Sequence, residues 1–156
     1  MTDFINKIIM IILVFLMLIL APIMINYCTD TMLAKREILN DVDTFIDRVC
    51  DSTLIEESDI NALYLQCNSH GMVVDVQIQR YVYALTIKDS TGDEKQYTND
   101  YVVDSQYKGG DMILNPSDMI KVTVQEKTIS SARKLIYKIL RIDEGEFKFS
   151  LAGIVG

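Results

Sequence analysis

From Ile8 to Thr29 the chain carries 22 consecutive residues without a charge, IIMIILVFLMLILAPIMINYCT, closed by Lys7 on one side and Asp30 on the other. Wound as a helix, such a run rises roughly 33 Å, the thickness of a bilayer's hydrocarbon core. It reads as a transmembrane anchor, with Ile8, Ile12, Phe15, Leu18 and Ile25 spaced along it and Pro22 inside it. A cleaved signal peptide fits less well, because the run exceeds a usual apolar h-region and no A-x-A site follows. Cys28 follows Ile25, Asn26 and Tyr27 rather than the small residues of a lipobox. Pro22 removes a backbone bond to the Leu18 carbonyl. It either marks the approach to the interface or softens an anchor that must leave the bilayer.

The anchor bounds the rest. Of 156 residues, about 125 remain for a water-exposed part, enough for one modest domain. Lys plus Arg number 15 against 22 Asp plus Glu, a net of -7. A domain so acidic repels phosphate backbones, which argues against nucleic acid as a partner. Cys28, Cys50 and Cys67 are odd in number and unevenly spaced, and His70 is the single histidine. That pattern gives neither a zinc site nor a disulfide framework. The thiols read as small buried hydrophobes, with a Cys50 to Cys67 bridge or an intermolecular bridge through Cys28 as the alternatives.

Beyond Asp30, helical periodicity continues: Ile38, Val42, Phe45, Ile46 and Val49 recur at steps of three and four, the stripe of an amphipathic helix. With no Gly or Pro between 23 and 54, the simplest expectation is one long helix. Its first half lies in lipid and its second half forms a stalk. Asp43, Asp47 and Asp51 repeat every fourth residue on another face. They read as a solvated face or as a docking edge for a neighbour's basic helix.

A second helix is expected over about 59 to 69, capped by Ser58 and stopped by Gly71, with His70 a helix-end residue favoured by the dipole. From Met72 the period changes to two through Val74, Val76 and Ile78, then Tyr81, Tyr83, Leu85 and Ile87. The phase flip between Ile78 and Tyr81 calls for a bulge or a bend near Arg80 if this is one long strand. DSTGDEK at 89 to 95 is a turn, Gln96 to Gln106 a return strand, and KGGD and NPSD are further turns. MIKVTVQEK at 119 to 127 alternates cleanly. Ser130 and Ser131 then cap a helix, ARKLIYKILR, with Leu135, Ile136, Ile139 and Leu140 as its apolar side and Arg133, Lys134, Lys138 and Arg141 as its basic side. It reads as a core helix whose apolar side is buried and whose outer face is wet, and its charge complements the acidic stripe, either within the chain or between copies. After an EG turn at 144 to 145, FKFSLAGIV forms a last strand.

The expected fold is α+β: an N-terminal transmembrane helix continuing into an amphipathic stalk helix, packed on a small antiparallel sheet. The segments are a tail and span at 1–29, a stalk at 30–56 and an α+β extramembrane domain at 57–156. No Gly-rich phosphate loop, nucleophile-base pair or metal cluster stands in the sequence, so neither an enzyme nor a bound cofactor is expected. The partners expected are the lipid bilayer and other proteins.

This layout, with the apolar helix at 8 to 28, the amphipathic continuation to near Ser52, the strand VVDVQIQRY and the segment LNPSDMIKVTV before a last helix and strand, resembles the TadE-like minor pilins of tight-adherence (Tad) pili. Pilin precursors carry a Gly before their cleavage point and a Glu at the fifth mature position; here no Gly precedes Gly71 and the span holds no Glu. The resemblance implies a membrane-held subunit or adaptor of a pilus or secretion-type assembly, pilin-like proteins or further copies of itself as partners, and a C-terminal domain outside the cytoplasm. The flanking cations, Lys7 against Lys35 and Arg36, leave the positive-inside rule undecided. A second reading is a membrane-tethered extracytoplasmic binding or sensory domain using Tyr81, Tyr83, Tyr97, Tyr101 and Tyr107, since tyrosine suits interfaces.

Overall fold

The computed structural model describes residues 2–88, 96–141 and 146–156. The turns expected at 89 to 95 and at 144 to 145 lie outside them. The fold is α+β, and the chain divides into two compact units, residues 1–36 and 37–156.

Helix α1 runs from Thr2 to Ser52, through Pro22, as 51 continuous residues. In the first unit it is long and apolar enough to cross a membrane, and none of its most apolar stretch is buried by protein. In the second unit the expected stripe is the buried one: Ile38, Val42, Phe45, Ile46 and Val49. The helix ends at Thr53, which takes the left-handed conformation at φ 58°.

The sheet that receives this stripe has four antiparallel strands in the order β3-β2-β5-β6: β2 is Val73–Lys88, β3 Gln96–Gln106, β5 Met119–Thr128 and β6 Lys148–Ile154. Two short strands, β1 (Leu54–Ile55) and β4 (Met112–Ile113), form a separate pair that periodicity did not reveal. Helix α2, Glu57–Ser69, adds Ile60, Leu63 and Cys67 to the core. It begins two residues ahead of the sequence expectation, because Ser58 is no cap: its hydroxyl donates to the Glu56 carboxylate, and Glu56 takes the extended cap position. At its other end Gly71 supplies φ +78°, a conformation cheap only for glycine.

The sheet's helix-covered face follows from register. Val76 pairs with Val124 and Ile78 with Val122; Val122 in turn pairs with Leu151 and Ile120 with Gly153. Ile120, Val122 and Val124 are fully buried, each contributing about 1.5–3 kcal/mol relative to exposure. At Gly153 a Cβ would stand 2.4 Å from Ile46 Cγ2 and 2.8 Å from Cys50 Sγ. The stalk segment of α1 therefore lies close on β6, and only glycine fits there.

The irregularity expected near Arg80 is present between Arg80 and Tyr81, with the unpaired residue on the partner strand: Arg80 faces Ser105 and Tyr81 faces Val103, leaving Asp104 over. Beyond it β2 outruns β5. Pairing with β5 stops at Tyr81, whereas pairing with β3 continues to Lys88. The remainder is a two-stranded ribbon with Tyr83, Leu85 and Val102 exposed.

The last helix, α3 (Ser131–Leu140), is capped as expected by Ser130, whose hydroxyl accepts from the Arg133 amide. Its rotation differs from the expectation of a buried apolar side. Leu135 is 60% and Ile139 64% exposed, while Arg133 is buried. The reason is Glu126. The alternation of β5 carries this carboxylate into the buried face, where an unpaired charge is costly, and Arg133 turns inward to meet it. Ile136 and Tyr137 are half-buried beside it; the Leu140 side chain lies outside those described.

Candidate functional site

Three features outside the packed core bear on function: the acidic face of the stalk, the cationic helix α3, and the exposed ribbon. Asp43, Asp47 and Asp51 are all exposed, on the side of α1 away from the buried stripe, as a 3.6-residue period requires. No described residue forms an ion pair with them. The basic helix in particular does not reach them: Arg133 is held by Glu126, and Lys134, Lys138 and Arg141 are exposed. Arg141 takes the left-handed conformation at φ 54° and closes α3 with its amide donating to the Tyr137 carbonyl.

The anchor residues Ile8, Ile12, Phe15, Leu18 and Ile25 are exposed along α1, with Pro22 among them. On the ribbon the Tyr83 and Tyr101 rings stack edge to face with centroids 5.3 Å apart. Tyr81 is half-buried; the Tyr97 side chain lies outside those described.

Two polar clusters brace the domain. At one end of the sheet Arg80 donates through Nε (2.8 Å) and Nη2 (2.7 Å) to Asp118, whose same oxygen accepts from the Asn115 amide. At the other end His70 places Nδ1 2.8 Å from Glu37 and Nε2 2.8 Å from Asp41. Both ring nitrogens thus face carboxylates one helical turn apart, a clasp tying the end of α2 to α1. The sequence reading of His70 as a simple helix-end residue missed it. The available signal was the spacing of Glu37 and Asp41, which puts both on one flank of the stalk.

All three cysteines are free. Burial pushes the Cys67 thiol up to about 11, the Asp41 carboxylate adding to the effect. Burial raises Cys50 as well, assisted by Asp47 and Asp51. A cavity of about 240 Å³ between α2 and the sheet is lined by Glu57, Asn61, Tyr64, Gln77 and Tyr107, among others. Inside that lining Tyr64 donates to the Val76 carbonyl at 2.8 Å, and desolvation raises both tyrosines above their ordinary value. Among the described residues no group of His, Cys, Asp and Glu is arranged to hold a metal ion.

No protein-family model matches the chain, and no curated protein and no solved structure is significantly similar to it.

Proposed function

We propose that this chain is a membrane-anchored, pilin-like subunit or adaptor of a bacterial pilus or secretion-type assembly, acting through protein contacts rather than catalysis. The observation that carries the reading is α1. A single helix passes from an uncharged, unburied segment into an amphipathic segment that packs one side on a sheet and leaves an acidic side open. A helix with that division has one surface for lipid, one for its own domain and one for a neighbour. The C-terminal domain stands on the outer side of the membrane, where such subunits meet.

The test is association of the full chain in its native membrane. Replacing Asp43, Asp47 and Asp51 together by Lys removes crosslinking to partners while the domain stays folded; unchanged crosslinking rejects the stalk as docking edge. Asp100→Cys, on exposed β3, reacts with a membrane-impermeant maleimide added to intact cells. Protection of that thiol in an otherwise cysteine-free chain overturns the outward placement.

The stacked pair of exposed Tyr83 and half-buried Tyr101 favours the second reading, a tethered extracytoplasmic binding or sensory domain. Neighbouring genes separate the two: a secretion ATPase with a polytopic platform protein supports the assembly role, a kinase or lone receptor context the sensory one.

A further inference from the structure

We infer that α3 is a membrane-surface helix, docking its exposed side on an anionic bilayer at the same face into which α1 inserts; this rests on the reading of α1 as a membrane anchor. Its sequence from Lys127 to Arg141 holds five cations and no acid, within a chain of net charge -7. Arg133 is spent on Glu126, but Lys134, Lys138 and Arg141 are exposed. Leu135 and Ile139, one turn apart, stand exposed in the row beside Lys134 and Lys138. Apolar side chains flanked by lysines are what a helix lying in a bilayer interface requires: acyl chains take the former and lipid phosphates the latter.

Topology places this helix at the right end of the domain. Glu37 and Asp41, where α1 enters the second unit, clasp His70. Three residues later Val73 pairs with Thr128, the last residue of β5, and α3 begins at Ser131. The helix therefore stands at the end of the sheet where the chain arrives from its anchor. Only seven residues lie between Thr29 and Glu37, so the chain joining the uncharged run to this domain is short. The acidic face of a second copy is a poorer occupant. The exposed neighbours of Asp43 and Asp47 are Leu39, Asn40, Thr44 and Arg48, which offer Leu135 and Ile139 a single leucine, itself only 39% exposed. Asp143, Glu144 and Glu146 follow the helix in sequence, beyond the left-handed residue Arg141.

The chain has no tryptophan, so a single substitution makes a unique probe. Full-length protein carrying Ile139→Trp is reconstituted into vesicles of phosphatidylcholine alone or with phosphatidylglycerol, each with brominated acyl chains as quencher. A parallel Phe15→Trp protein reports on the anchor. Phe15→Trp is quenched in both lipids. Ile139→Trp is quenched and blue-shifted in the anionic vesicles only, and the effect fades with salt. Adding Lys134→Glu and Lys138→Glu lowers the docked-to-free ratio at least about 25-fold, taking roughly fivefold per lysine lost. Far-UV circular dichroism confirms that each variant is folded, as expected for substitutions at exposed positions. Quenching of Phe15→Trp without quenching of Ile139→Trp overturns the docking of α3 and leaves the anchor standing. No quenching at either position overturns the anchor itself. A blue shift at Ile139→Trp that follows protein density and ignores lipid charge assigns the face to a second copy and overturns the lipid proposal.

Discussion

β5 and α3 are neighbours in the chain, and both divide cleanly into an apolar and a polar side, yet they come to rest in opposite situations. β5 buries Ile120, Val122 and Val124 completely, whereas α3 exposes Leu135 and Ile139 and buries an arginine. The difference lies in what fixes each element's rotation. β5 is hydrogen-bonded on both sides, to β2 and β6, so every second residue must face the stalk. α3 has no ladder, and its rotation answers to the strongest local demand. That demand is the Glu126 carboxylate: leaving it unpaired costs about 3–5 kcal/mol, enough to offset the roughly 1.5–3 kcal/mol gained by burying each of the two aliphatic side chains. An amphipathic pattern thus names two sides, and for a helix at the rim of a sheet the buried charge chooses between them.

The sharpest way to break this comparison is to remove the charge. Arg133→Leu leaves Glu126 alone in the interior and is expected to destabilise the domain by about 3–5 kcal/mol, read by denaturant unfolding of the full chain in detergent. Adding Glu126→Leu removes the stranded carboxylate and restores most of the loss. A single variant as stable as the parent would mean that Glu126 is met by something other than Arg133. Next in size is the contrast between the elements themselves. Ile120→Ala should cost about 2–5 kcal/mol, and Leu135→Ala no more than about 0.5 kcal/mol, the range of exposed positions. Equal losses would put α3's apolar side in the core after all.

These two regions also mark how far the sequence could be read. Where hydrogen-bonded neighbours or a long period fixed the outcome, reading succeeded: the stripe from Ile38 to Val49, the strands at 96 to 106 and 119 to 127, the Ser130 cap and the irregularity at Arg80 all stand where local pattern puts them. Reading failed where the deciding partner was distant or polar. Glu126 extends the alternation of β5 by one more inward position, but a strand pattern scored on apolar residues stops at Val124. His70 is clasped by residues 29 and 33 positions away, and β1 with β4 is two residues against two, too short for any period. The acidic stripe was legible as a face, and its exposure follows from the buried stripe opposite.

Within the well-read core, Cys67 gives the comparison a pH axis. Its thiol is fully buried and its value is pushed up from 9.0 to about 11. Above pH 9 the unfolded thiol ionises while the native one keeps its proton, so the unfolded state binds fewer protons and stability falls. The contribution is fully present below pH 9 and is lost as pH rises towards 11, a change of about 2–3 kcal/mol for a shift of that size. Cys67→Ala is expected to flatten that part of the stability curve relative to the parent, whatever it costs at neutral pH. An unchanged slope between pH 9 and 11 would assign the alkaline loss to Cys50, Tyr64 and Tyr107, which burial also raises.

The smallest effect has the opposite sign and concerns the stalk's outer face. The last turn of α1 in the domain holds no basic residue, and Asp47 and Asp51 crowd the carbonyl end of the helix, where the macrodipole favours cations. Each also repels its neighbour four residues away. Both terms run against stability, and the side chains are exposed without an ion-pair partner among the described residues. Asp51→Asn should therefore stabilise the domain by about 0.3–1 kcal/mol at low salt, seen as a raised unfolding midpoint that shrinks as salt is added. A folded domain that gains stability when this face is neutralised carries its charge for something outside itself, which is what a docking edge demands. A loss of stability on neutralisation would instead tie Asp51 to the domain's own fold and remove it from the proposed contact.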